Sequence, residues 1–226
     1  MRLLLIDTCG EQGSIALADT AVAETARIVA TAQIPGRSAS ERLVATIRDL
    51  LIHTAWPLNT LDAIGVVNGP GSFTGVRVGL AAAKGLAEAL AIPIHPVSRL
   101  ATLASAAGLP DAEVCALLGA GRNEFYCTRY FNKECLVESL VSFDGASSAI
   151  QAAAVTIVCE AKVFEAFVSS HPDHLKLVEE PTASDALPFA LRLIQQGDNN
   201  SPVLDANYLR KTDAEIFAKP TAPSAR

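Results

Sequence analysis

The chain lacks the short motifs that would announce a familiar catalytic site. Among its 226 residues there is no H-E-x-x-H, no G-x-S-x-G and no glycine loop closed by Lys-Ser or Lys-Thr. The zinc-protease, serine-hydrolase and P-loop chemistries encoded by those patterns are therefore not signalled. Cysteine is sparse: Cys9, Cys115, Cys127, Cys135 and Cys159 are 5 in number, and none forms a C-x-x-C pair. Zinc and redox readings are poor on that count, and the cysteines in apolar strand patterns read as small buried hydrophobes. His53, His95, His171 and His174 are not paired at helical metal spacing; His171-Pro172-Asp173-His174 reads as a solvated loop. No apolar run is long enough to span a membrane. Met1 to Ile6 begins as a leader would, but Asp7 ends the run, so we expect no signal peptide and a cytoplasmic chain. Positive charge is also short, leaving a formal net charge of −6. That balance opposes broad capture of nucleic acid by this chain alone, though not capture through a basic partner.

Hydrophobic residues make up 50% of the chain, enough for a packed core in one large or two small domains. The most informative segment runs from Asn68 to Ala87, NGPGSFTGVRVGLAAAKGLA. Ala63 to Val67 predicts a strand before it. Gly69-Pro70-Gly71-Ser72 cannot continue that strand, and a helix is predicted from about Thr74. Such a junction presents free N–H groups to an anion. Its spacing, Gly69-x-Gly71-x-x-x-Gly75, is one residue longer than the dinucleotide fingerprint, and a tight turn without ligand explains it too. In the helix, Gly75, Gly79, Ala83 and Ala87 line one face, with Val76, Leu80, Ala82, Leu86 and Leu90 around it. Gly79 and Gly85 each cost roughly 1 kcal/mol against alanine in a helix interior. Close packing on the chain's own sheet and a subunit interface both account for the small face.

Leu3 to Ile6 predicts a buried strand, Asp7 to Gly13 a turn, Ser14 to Ala18 the return strand and Ala21 to Val29 a third. A strand–turn–strand opening argues against a Rossmann domain. Ser38-Ala39-Ser40-Glu41 has the capping-box pattern, and Leu43, Val44, Ile47, Leu50 and Leu51 form a helical stripe ended by Trp56-Pro57. Ile92 to Val97 is a strand, and Ser98 caps a helix to about residue 107. Gly108 to Asp111 is the candidate boundary. Beyond it strands are predicted over 114–118, 124–131 and 135–141, with a turn at Gly119 to Asn123. A strand over 155–159 precedes a helix over 162–168, and a strand over 175–178 precedes a helix over 185–196. The expected division is a first lobe over 1–107, a second over 108–210 and a solvated tail over 211–226, an α/β chain whose halves repeat one order of elements. Asp7 reads either as a Mg²⁺-holding carboxylate or as a turn residue bonding its own backbone. Glu41 and Glu124 stand as single carboxylates. Arg122 to Tyr126 reads first as a strand edge and second as a binding surface.

The chain resembles the TsaB (YeaZ) family of bacterial tRNA threonylcarbamoyladenosine biosynthesis proteins. Leu4-Leu5-Ile6-Asp7-Thr8, Ser40-Glu41-Arg42-Leu43, Gly69 to Gly79, Lys84-Gly85-Leu86-Ala87 and Tyr208-Leu209-Arg210 carry the resemblance in order. It implies a two-lobed actin-like ATPase (ASKHA, ribonuclease-H-like) fold and a noncatalytic subunit with neither catalytic nor metal-binding residues. It implies pairing with the catalytic subunit TsaD through first-lobe helices, at Leu43, Ile47, Gly75, Val76, Gly79, Ala82, Ala83 and Leu86, and self-pairing through the same surface. TsaE, an ATPase, completes the complex that modifies the adenosine beside the anticodon, and tRNA is met only through that complex. Asp7, Thr8, Gly69 and Gly71 are the candidate nucleotide-binding residues. No cofactor is expected on the chain alone, with ATP or ADP entering at the level of the complex. Ala39 stands where many members have histidine, and Gly119-Ala120-Gly121 where many have Asp-Ala-Arg. The competing reading is a self-sufficient actin-like-fold enzyme, a small-molecule kinase or peptidase. It lacks a full phosphate loop in the second half, where only Gly119 to Arg122 and Ser142 to Gly145 offer themselves.

Overall fold

The computed structural model describes residues 1–20, 26–35, 38–106, 108, 113–131, 134–135, 137–197, 204–207 and 209. In the first half, strand β1 (Arg2–Asp7) pairs antiparallel with β2 (Gly13–Asp19), and β2 with β3 (Arg27–Ile34). On its other side β1 runs parallel to β4 (Ala63–Val67), and β4 to β5 (Ile94–Val97). Helices α1 (Ala39–His53), α2 (Phe73–Leu90) and α3 (Arg99–Ala106) connect them. Leu3, Leu4, Leu5 and Ile6 are all 0% exposed, as a central strand covered on both faces requires.

The second half repeats this plan. Strand β6 (Val114–Gly121) pairs antiparallel with β7 (Glu124–Phe131) and parallel with β10 (Val155–Val158), which runs parallel to β11 (Leu175–Leu177). Short strands β8 (Glu134–Cys135) and β9 (Ser139–Ser142) share the outer edge of β7. Helices α4 (Phe143–Ala152), α5 (Ala161–Val168) and α6 (Leu187–Gln195) follow. The order β2-β1-β4-β5 in one sheet is matched by β7-β6-β10-β11 in the other.

Several local expectations change. The third strand lies at Arg27–Ile34 and not at 21–29; 21–25 fall outside the described residues. Ser38 makes no cap bond to the helix, because its hydroxyl donates to the Pro35 carbonyl. The predicted turn at Gly119 to Asn123 shrinks to Arg122-Asn123, both at positive φ, 54° and 59°, the left-handed pair that a two-residue hairpin demands. Ser142 to Gly145 is a helix start: the Ser142 hydroxyl accepts a hydrogen bond from the Gly145 N–H at 3.3 Å.

The expected boundary near residue 108 also meets a complication. Helix α6 packs on β5, and Ala190 sits beside Gly65 of β4. Ala183, Ala186, Leu187 and Ala190 therefore belong to the hydrophobic core of the first sheet. The chain returns to its first half before it ends, and Asn207 N–H donates to the Asn68 carbonyl at 2.8 Å. Tyr208, Arg210 and the predicted tail lie outside the described residues.

Candidate functional site

The parallel strands of both sheets point their C-terminal ends into one crevice, where sheets of this kind hold ligands. Asp7 ends β1 there and is 2% exposed. Its Oδ1 accepts from the Cys9 N–H at 2.8 Å, so it closes the turn through its own backbone. Burial pushes the Asp7 carboxyl up, and the field of Arg99 opposes that shift. Thr8 is buried as well, and its hydroxyl donates to the Gly75 carbonyl at 2.6 Å.

The glycine turn is shaped by the chain itself. Gly69 has φ +106° and precedes a cis bond to Pro70, and its carbonyl accepts from the Arg99 N–H at 2.8 Å. A Cβ at Gly71 would stand 2.5 Å from the Cys9 carbonyl oxygen. That same carbonyl accepts from the Ser72 N–H at 2.9 Å. Ser72 caps α2 by accepting from the Gly75 N–H at 3.2 Å. The structure thus brings Asp7, Thr8, Gly69 and Gly71 together, but Gly71 makes room for the Cys9 backbone and Gly69 faces Val76 and the Asn207 carbonyl.

Most of the residues expected at the interface are packed within this chain. Leu43, Ile47, Val76, Gly79 and Ala83 are buried within this chain. Gly75 and Gly79 face Thr8, whose backbone or hydroxyl occupies the space of any added Cβ. Gly75, Ala82 and Leu86 are half-buried on α2. The outward faces carry other residues. Val44 is 63% and Ile52 70% exposed on α1. On α2, Ala81, Lys84, Gly85 and Glu88 are exposed, and a Cβ at Gly85 would meet nothing within 4 Å. Helices α1 and α2 pack against each other.

Sequence reasoning missed the charges that fill the crevice. Arg99, the first residue of α3, is 6% exposed. Its Nη2 donates to Glu180 Oε1 at 2.7 Å, and the Glu11 N–H donates to the same oxygen at 2.9 Å. From the second sheet, Glu160 Oε2 accepts from the Gly119 N–H at 3.0 Å. Burial raises the Glu160 carboxyl and pushes the Cys159 thiol up to about 11. No periodicity or spacing distinguishes these residues from surface charges. A nucleotide with its metal, as the fold class would imply, does not fit this residue set. The groups there that could donate to phosphate are already engaged: the Gly119 N–H bonds Glu160 and the Arg99 guanidinium pairs with Glu180.

Among the described residues one serine–histidine pair stands close together. Ser147 Oγ lies 3.2 Å from His171 Nε2. His171 Nδ1 is buried without a hydrogen-bond partner, so no carboxylate orients the ring as a triad requires. Among the described residues, no three His, Cys, Asp or Glu side chains converge as a metal site.

Two repeated mixed sheets with helices around a shared crevice define a two-lobed actin-like, ribonuclease-H-like protein. The family model described as tRNA N6-adenosine threonylcarbamoyltransferase (TsaD) matches residues 29–142. A TsaB from Haemophilus influenzae is 40% identical over 56% of this chain and 52% of its own length. The Escherichia coli TsaB is 33% identical over 59% of this chain and 57% of its own. The chain thus spans about half the length of these curated relatives in the matched region. A solved structure of YeaZ from Pseudomonas aeruginosa, 27% identical, superposes with a TM-score of 0.71 over 92% of this chain and 99% of that one. The chain belongs to the TsaB (YeaZ) branch of the threonylcarbamoyltransferase family.

Proposed function

We propose that this chain is a noncatalytic scaffold subunit in the synthesis of threonylcarbamoyladenosine on tRNA, pairing with the catalytic subunit TsaD. The observation that carries this reading is the outward faces of α1 and α2: Val44 and Ile52 are exposed on α1, and Gly85 is open on α2. Large apolar side chains left in water beside small residues suit a close helix partner. The same surface serves self-pairing when TsaD is absent, and TsaE and tRNA join only at the level of the complex, where ATP or ADP also enters. The complex works in the cytoplasm; among the described residues no helix is long and apolar enough to cross a membrane.

The test is reconstitution. Purified chain, TsaD and TsaE from one organism are mixed with tRNA, ATP and a pre-activated threonylcarbamoyl donor. Omitting this chain abolishes the modified nucleoside in the mass spectrum, and the chain co-elutes with TsaD. Robust ATP or peptide hydrolysis by the chain alone, lost in Asp7→Asn, would overturn the scaffold reading.

A further inference from the structure

The crevice at the C-terminal strand ends is closed by the chain's own charges. Arg99 comes from the first half, at the start of α3, directly after β5. Glu180 follows β11 of the second sheet, and Glu160 follows β10. The ion pair Arg99–Glu180 therefore bridges strand ends of both sheets at 2.7 Å. A Cβ at Gly10 would collide with the Glu180 carboxylate and crowd the Arg99 guanidinium, so the pair would have to shift. Arg99 also reaches backward: its N–H holds the Gly69 carbonyl, the turn from which α2 begins.

The guanidinium is not held by a full set of hydrogen bonds, since its Nε is buried without a partner. A buried cation with an unused donor is costly unless nearby charge retains it. The nearby charges are those of Asp7 and Glu180, with Glu160 of the second sheet also in its field. These carboxylates would in turn repel one another without the arginine.

We propose that Arg99 is a built-in cation that locks the two sheets across the crevice and stands in the place of a bound nucleotide and its metal. The crevice is a closed joint, and the lobe angle is set internally. This goes beyond the scaffold reading, because it concerns the joint between the two sheets and not the exposed α1–α2 surface.

Hydrogen–deuterium exchange on the full chain tests it. In Glu180→Gln, which keeps shape but removes the charge, exchange rises at least about fivefold in segments 7–13, 99–106 and 114–121, while α1 is unchanged. Arg99→Lys, which keeps the charge but loses the fork, gives a smaller rise in the same places. Millimolar Mg–ADP leaves wild-type exchange and melting temperature unchanged. Unaltered exchange in both variants overturns the lock. Protection of the wild-type crevice by Mg–ADP, abolished in Asp7→Asn, shows instead that the crevice takes nucleotide. Co-elution of Glu180→Gln with TsaD is read separately, so failure of the lock and failure of the scaffold reading are told apart.

Discussion

Gly79 lies against Thr8 so closely that a Cβ at position 79 would stand 2.5 Å from the Thr8 hydroxyl oxygen. The hydroxyl cannot simply turn away, because it donates to the Gly75 carbonyl one turn earlier in α2. This contact lies within one chain, on the small face of the helix.

Gly79→Ala is therefore expected to destabilise the monomer by about 1–3 kcal/mol, as overpacking does. Thr8→Ala alone costs about 1 kcal/mol through the lost hydrogen bond. The double variant recovers part of the sum, with a coupling of about 1 kcal/mol, because the clash and its cause disappear together. Urea titrations of the four proteins measure this cycle. Strict additivity would show that Gly79 does not pack on Thr8.

The outward surface behaves in the opposite way. Gly85→Arg places a better helix former in open space, so the monomer is expected to gain up to about 1 kcal/mol. Ile52→Lys leaves stability within about 0.5 kcal/mol. Both should lose TsaD co-elution and self-association by analytical ultracentrifugation. Folded variants that still assemble normally would place the partner surface elsewhere.

The α4 cap is a local test of a helix that the sequence reading missed. Ser142→Ala removes the acceptor for the Gly145 N–H and should cost about 1 kcal/mol. A thermal melt reads it, and Ser142→Asp, which keeps an acceptor and adds favourable charge at the helix start, should restore the loss.

Glu160 has a raised carboxyl, caused first by burial and opposed by the Gly119 N–H and Arg99; Glu180 and Glu11 raise it further. In the unfolded chain the proton leaves at the ordinary carboxylate value, and in the folded chain it leaves later. The stability from Glu160 is therefore present below the ordinary value and is lost as pH rises through the raised one. Glu160→Gln keeps the acceptor and cannot titrate. Wild type minus variant stability should fall between about pH 4 and the raised value, then level off. Urea midpoints across that range test the sign, and a difference that climbs with pH would contradict it.

Much of the fold was legible because hydrophobic period and glycine placement are local properties. The run Leu3 to Ile6 has to be a buried strand, and Leu43, Ile47, Leu50 and Leu51 mark the inner stripe of α1 through spacing alone. The helix at Phe143–Ala152 escaped notice because a serine and glycine ahead of small residues also describe a loop.

By itself, the sequence determined the duplicated order of elements, the strand–turn–helix at Asn68 to Ala87, and the requirement that some backbone approach Gly75 and Gly79 closely. It could not say whose backbone, because a four-residue spacing of small side chains is satisfied equally by a partner or by the chain's own β1. Tertiary structure decided for Thr8, turning the small face inward and leaving Val44, Ile52 and Gly85 outside. It likewise decided that Arg99, Glu160 and Glu180 meet. Those residues lie on three separate connections, and only the facing of the two sheets brings their charges close enough to hold one another against the cost of burial.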